Sequence, residues 1–144
     1  MKSSLNIDLF FFAALNASEP LKQMVGKRIF HTFRDSTAEK EDKIPYLIVT
    51  ADEAKSQYTT KDDGMAPLDS ATCSILCVAK NPNDLAELTT AVLEAVDTAY
   101  NDQIWDEHED WDFCIDGITP DADAIEADPD KPCLFRWMHF ACEI

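Results

Sequence analysis

Glycine is scarce in this 144-residue sequence, which contains three, at positions 26, 64 and 117. A loop that cradles phosphate groups needs clustered glycines, and the nucleophile elbow of many hydrolases needs the pattern G-x-S-x-G. The sequence has neither pattern, and it has no C-x-x-C pair of the kind that begins many zinc sites. We therefore expect a protein with no catalytic site, no metal site and no cofactor.

Basic residues are also few, because 12 Lys and Arg stand against 28 Asp and Glu, which gives a formal net charge of −16. Such an excess repels a phosphate backbone, and ordinary DNA or RNA binding depends on basic contacts. Acidic membrane surfaces are disfavoured for the same reason. The longest apolar run, residues 9–15, is far shorter than the roughly 20 residues that span a bilayer. The sequence therefore predicts neither nucleic-acid binding of the usual kind nor a membrane partner.

Cysteine occurs five times, at positions 73, 77, 114, 133 and 142, in apolar and strand-like surroundings. An odd number does not suggest a disulfide framework, and a free cysteine behaves as a small hydrophobic residue. We predict buried, reduced thiols.

A calcium loop is suggested by Asp121 and Asp123, which have the spacing that begins an EF-hand. That motif then needs an oxygen ligand, a glycine and a bidentate glutamate, where this sequence has Ile125, Glu126 and Pro132. The pattern fails at all three positions, so we expect no calcium site.

The length is that of one domain, so residues 1–144 are expected to form a single unit. Apolar residues recur at helical spacing in some segments and alternate in others, which predicts an α+β fold. We expect a mixed or antiparallel sheet of about four to five strands with two main helices packed on one face. The predicted helices span residues 5–16, 18–25 and 81–99; the predicted strands span residues 28–33, 46–58, 70–79, 111–116 and 133–143.

The first predicted helix is apolar on nearly its whole circumference. Such a helix is buried on all sides, either within its own domain or partly against another subunit. Because the domain is small, we favour the second arrangement. One face carries Leu5, Leu9, Phe12 and Leu15, and the face expected to contact another copy carries Ile7, Phe10, Phe11 and Ala14.

Acidic residues are concentrated between positions 102 and 130, where no Lys or Arg occurs. A charge run of this kind is usually a solvated surface. The alternative is a functional electrostatic surface directed at DNA or at a basic protein. Besides Asp112 and Asp116, the acids of this surface are Asp102, Asp106, Glu107, Glu109, Asp110, Asp121, Asp123, Glu126, Asp128 and Asp130.

The order of elements and their apolar spacing resemble the tail completion or tail terminator proteins of long-tailed bacteriophages and prophages. The resemblance rests on residues 21–30 after the first helix, 44–49 at the start of a strand, 75–79 in the next strand, and 83–88 at the start of the second main helix. Residues 100–111 match no motif of that family.

This resemblance implies a structural subunit that forms a hexameric ring at the head-proximal end of the tail tube. The ring would stop tube polymerisation and contact the tail tube protein and the head-tail connector protein. DNA would pass through its lumen without specific binding, helped by an acidic lining. The implied location is the bacterial host cytoplasm during assembly and then the virion tail.

Two other functions are compatible with the acidic tract. The first is a DNA-mimic inhibitor that binds a basic nucleic-acid enzyme. The second is a metal-dependent hydrolase that uses the clustered carboxylates.

Overall fold

A computed structural model describes residues 7–31, 44–51, 55–57, 68–111 and 113–144 of the chain. The predictions for residues 5–6, 32–33, 52–54, 58 and 112, and the turns and loops predicted at residues 35–43 and 62–67, lie outside these ranges. The described helices are α1 (Ile7–Ala17), α2 (Glu19–Val25) and α3 (Pro82–Asn101), with a short 3-10 helix at Ile104–Glu107. The described strands are β1 (Ile29–His31), β2 (Tyr46–Ala51), β3 (Lys55–Gln57), β4 (Leu68–Ala79), β5 (Gly117–Ala122), β6 (Glu126–Ala127) and β7 (Leu134–Glu143).

The strands form one mixed sheet in the order β1-β2-β4-β7-β5. β1 is parallel to β2, and the remaining pairs are antiparallel. β3 adds to β4, and β6 follows β5 along the same side of β7. The predicted α+β class is confirmed, and the five strands of the main path agree with the expected number.

Local sequence signals set the starts of two helices. The Ser18 hydroxyl accepts a hydrogen bond from the Leu21 amide at 3.4 Å, ahead of Pro20 in the first turn of α2. The Asn81 side-chain oxygen accepts one from the Asp84 amide at 2.8 Å, ahead of Pro82 in α3. Both are N-caps of the expected type, which satisfy amides that have no partner within the helix.

The core lies between one face of the sheet and the helices. Alternate residues of the central strands point toward the helices, as the two-residue period of a strand requires. α3 contributes the apolar stripe predicted from its spacing. The buried residues on this face of the sheet include Leu47, Val49, Cys73, Ile75, Cys77, Met138 and Phe140, and those of α3 include Leu85, Leu88, Val92 and Val96.

The expectation that α1 uses one face to contact another subunit is wrong. Ile7, Phe10, Phe11 and Ala14 are each at most 3% exposed within their own chain. The Phe11 ring packs on Phe140 of β7 at a centroid distance of 5.2 Å, and the Phe10 ring packs on Trp105 at 5.9 Å. Trp105 comes from the acidic segment after α3. The domain therefore covers more of α1 than we expected from the size of the domain.

The strand predicted at residues 111–116 is also misplaced. Phe113 and Ile115 are buried, yet they lie in an unpaired stretch, and β5 begins at Gly117. Alternating burial along an extended segment produces the same sequence pattern as a strand. Pairing begins one residue earlier than β5 itself, where the Asp116 amide donates to the Glu143 carbonyl at 2.7 Å.

Candidate functional site

The predicted acidic surface divides into two groups in the structure. The first group follows α3 and is exposed throughout; we call it the post-helix acids. It consists of Asp102, Asp106, Glu107, Glu109 and Asp110.

The second group, the edge acids, lies along β5, β6 and the turn after them. These strands form one edge of the sheet in the described part of the chain. Asp128 is half-buried, and its carboxylate accepts hydrogen bonds from the amides of Asp130 at 2.8 Å and Lys131 at 3.2 Å. It therefore shapes the turn, whereas the other members are exposed. The edge acids are Asp121, Asp123, Glu126, Asp128 and Asp130.

Aromatic side chains anchor the post-helix acids to the domain. Trp105 lies against Phe10 and, at a centroid distance of 6.0 Å, against Tyr100. Farther along, Trp111 stacks on His108 at 3.8 Å and on Phe113 at 5.4 Å. These ring contacts attach the segment to the domain, and its exposed carboxylates lie on an anchored segment.

The position of the post-helix acids is unfavourable for the stability of α3. The carbonyl end of a helix carries partial negative charge, so nearby carboxylates destabilise it and cations stabilise it. α3 has no basic residue in its last turn and has Asp102 as its C-cap. Helix stability therefore does not explain why acids are placed here.

An apolar groove with an acidic border lies between α3 and β5. Its volume is about 390 Å³, and the Tyr100 hydroxyl donates to the Asp116 carbonyl at 2.9 Å near the start of β5. Leu93 is 38% exposed, and of the described large hydrophobic residues it and Ile125 are the two most exposed. We call this the α3–β5 groove; its lining includes Leu93, Glu94, Val96, Asp97, Tyr100, Asn101, Ile118, Pro120 and Phe140.

A serine, a histidine and an aspartate meet on the opposite face of the sheet. The Ser74 hydroxyl lies 2.8 Å from His139 Nδ1, and His139 Nε2 lies 3.1 Å from an Asp123 carboxylate oxygen. These residue types also form hydrolase triads. Here, however, Ser74 is 3% exposed, so a substrate carbonyl cannot reach its hydroxyl. The two hydrogen bonds connect Asp123, at the edge of the sheet, through His139 of β7 to the central strand β4.

The cysteines are free, and four of the five are buried, as predicted. Burial raises the pKa of Cys142 to about 12. Burial also raises the pKa of Cys77 to about 12, partly opposed by the charge of Arg136. The pKa of Cys133 is raised by burial and by the charge of Asp128. These thiols stay protonated at neutral pH, which makes them poor nucleophiles and poor metal ligands.

Within the described ranges, no group of three or more His, Cys, Asp or Glu side chains is arranged to hold a metal ion. Across those same ranges, no helix is both long enough and apolar enough to span a bilayer.

Comparison with solved structures finds chains that are similar to this one over nearly their whole length. A chain from the virion of a native gene transfer agent particle matches with a TM-score of 0.61 over 95% of this chain and 92% of that chain, at 11% identity. The two chains share one fold. The structure of bacteriophage SPP1 gp17 protein is also similar, with a TM-score of 0.49 at 14% identity over 100% of this chain and 95% of that one. No protein-family model and no curated protein matches the sequence.

Sequence reasoning missed two features of this region. The first is the role of Trp105 and Trp111 as anchors, which the aromatic spacing within an otherwise acidic segment could have suggested. The second is the α3–β5 groove. Leu93 lies off the apolar stripe of α3, and a large aliphatic residue on the polar side of an amphipathic helix was the available signal.

Proposed function

We propose that this chain is a structural component of a phage-like tail and acts at the head-proximal end of the tail tube. In this role its copies form a ring, hexameric as the resemblance implies, that ends tube polymerisation and joins the tail to the head. Its partners are further copies of itself, the tail tube protein and the head-tail connector protein. Assembly takes place in the bacterial host cytoplasm, and the finished ring resides in the virion tail.

The observation that carries this proposal is the fold shared with a virion chain of a gene transfer agent particle over nearly the whole length of both chains. Sequence resemblance to tail completion proteins points to the same role independently of that comparison. The buried α1 no longer supports assembly, so the subunit contact must use another surface.

The charge distribution is consistent with a ring through which DNA passes. Fourteen of the 28 acidic residues occur from Glu94 to Asp130, a stretch that contains no Lys or Arg. A lumen lined by fixed carboxylates repels the phosphate backbone and lets DNA move without adhering. The ring contacts of Trp105 and Trp111 attach the segment of the post-helix acids to the domain and would keep such a lining in place.

Electron microscopy and native mass spectrometry of the purified protein test the proposal. We expect rings of identical subunits and, after addition to polymerising tail tube protein, shorter tubes with a ring at one end. Tube protein without this chain is the control and should continue to elongate. A protein that stays monomeric and leaves tube length unchanged would contradict the proposal. Recovery of basic nucleic-acid enzymes from host lysate in place of tail proteins would favour the DNA-mimic alternative.

A further inference from the structure

The surfaces at the two ends of helix α3 differ in charge. With 20 residues, it is about 30 Å long. Lys80 immediately precedes its N-cap, whereas the post-helix acids follow its last turn. The helix dipole has the same polarity, because the N-terminus carries partial positive charge and the C-terminus partial negative charge. Among the described residues, cations therefore occur near the start of α3, beside Asp84 and Glu87, whereas only acids directly follow its end.

The surface near the start of α3 combines basic and apolar groups. Arg28 donates hydrogen bonds from Nε to the Pro45 carbonyl at 2.9 Å and from Nη2 to the Met24 carbonyl at 3.3 Å. Met24 and Pro45 line a cavity of about 290 Å³ together with Lys80, and the exposed Lys27 precedes Arg28 in the chain. We call Lys27, Arg28 and Lys80 the basic end. Two carboxylates, Asp84 and Glu87, share this cavity, and Asp84 accepts a hydrogen bond from the Asn81 side chain at 3.0 Å.

The α3–β5 groove has the complementary composition. Its apolar floor includes the half-buried Ile118 and the buried Phe140, and Leu93 projects at its side. Glu94 and Asp97 are exposed on its border, and the next Lys or Arg along the chain is Lys131. The described lining of this groove has acids on its border and no Lys or Arg, so it fits a surface that brings aliphatic groups and cations together.

We propose that copies of this chain meet head to tail, with the basic end of one copy against the α3–β5 groove of the next. Met24 and Pro45 of one copy then cover Leu93 and the groove floor, while Lys27 and Lys80 face Glu94 and Asp97. A contact between two different surfaces of one protein repeats from copy to copy, and it closes into a ring when the rotation between copies allows. This inference rests on the proposed ring function and identifies the contact that builds the ring.

Charge reversal on each side separately tests this contact. The groove variant is Glu94→Lys with Asp97→Lys, and the end variant is Lys27→Glu with Lys80→Glu. Each variant alone presents like charges across the contact, so we expect loss of the ring in native mass spectrometry. An equimolar mixture restores opposite charges at every contact of an alternating ring, so we expect the ring to return.

A control variant carries the same change in net charge away from the groove. Glu126→Lys with Asp130→Lys alters exposed edge acids near the β6 end of β7, and it should still form rings. Circular dichroism and urea unfolding establish that all variants fold. A variant that does not fold is replaced by its single substitutions, tested in the same mixing experiment.

The outcomes separate this contact from the function on which it rests. If both reversed variants form rings alone, or if folded variants fail to restore rings on mixing, the proposed contact is wrong while the ring function stands. If the unmodified protein forms no ring either alone or on tail tubes, the ring function itself is wrong, and this contact with it.

Discussion

Asp8 of α1 and His31 of β1 are joined by a hydrogen bond in which the His31 Nε2 group donates to the Asp8 carboxylate. Both residues are buried, at 6% and 8% exposure. Water is thus largely excluded from an acid and a histidine that are 23 positions apart in the chain. The pair connects α1 to β1 at one side of the sheet. It also gives the Asp8 carboxylate a partner where it would otherwise face an apolar core.

Removing either partner should destabilise the fold, because the remaining polar group stays buried without its main interaction. We expect Asp8→Ala and His31→Ala to be non-additive, with a coupling of ~0.5–3 kcal/mol in a double-mutant cycle. Urea unfolding of the two single variants and the double variant measures it. The exposed pair Glu19 and Lys22, 3.5 Å apart, is the control and should couple by less than ~0.5 kcal/mol. Equal coupling in both pairs would contradict a structural role for the buried one.

Phe11→Ala should lower the free energy of unfolding by ~3–5 kcal/mol, because it leaves a cavity between α1 and Phe140. Leu93→Ala is the matched control on the surface and should change stability by at most ~0.5 kcal/mol. For assembly we expect the opposite order: Leu93→Ala should weaken the ring more than Phe11→Ala, because Leu93 borders the proposed contact. Urea unfolding and native mass spectrometry of both variants test this. A Phe11→Ala protein that is stable but fails to assemble would indicate that α1 takes part in the subunit interface.

Asp102→Asn should stabilise the protein by ~0.3–1 kcal/mol, because it removes a negative charge from the C-terminal end of α3. Asp84→Asn, in the first turn of the same helix, should have the opposite sign, since a carboxylate there is favourable. Thermal unfolding at low and high salt checks both. The two effects should shrink as salt screens the charges. An Asp102→Asn variant that is less stable would show that this acid has a structural partner.

The buried thiols predict a loss of stability at high pH. Burial raises the pKa of Cys77 and Cys142 from the ordinary value of 9.0 to about 12, so the folded state favours the neutral thiol. The contribution of these buried neutral thiols to the free energy of unfolding is present in full below pH 9, where the thiols of the unfolded chain are also protonated. It is lost as the pH rises toward the folded value, because only the unfolded chain ionises readily. Urea unfolding between these pH values should show the decline.

Cysteine labelling provides the accompanying measurement. In the folded protein, iodoacetamide should modify Cys114 first, because it is half-buried whereas the other four are buried. All five should react after unfolding in urea. Rapid labelling of Cys77 or Cys142 in the folded state would show that these thiols are more accessible than the structure indicates.

Several features were predictable from the sequence because they depend on neighbouring residues. The caps at Ser18 and Asn81 and the stripe of α3 follow from hydrogen bonds and spacing within a few positions of the chain. The strand expected at residues 111–116 was misplaced because strand pairing does not depend on neighbouring residues alone. The alternation at Phe113 and Ile115 indicates which side of an extended segment is buried. Hydrogen bonding to a neighbouring strand depends in addition on where that strand, β7, ends.

The sequence by itself determined the class of fold, the order of its main elements and the large negative charge, because composition and local periodicity are sufficient for these. Tertiary structure alone decided the burial of α1 and the exposure of Leu93. Phe10 and Phe11 became core residues because Trp105 and Phe140, distant in the chain, cover them. Leu93 stayed partly exposed beside an acidic groove because α3 turns its opposite side to the sheet. Local periodicity predicts burial where a single stripe faces the sheet, as in α3, but a helix that is apolar all round gives no such signal, so only the surfaces that meet in space decide its burial.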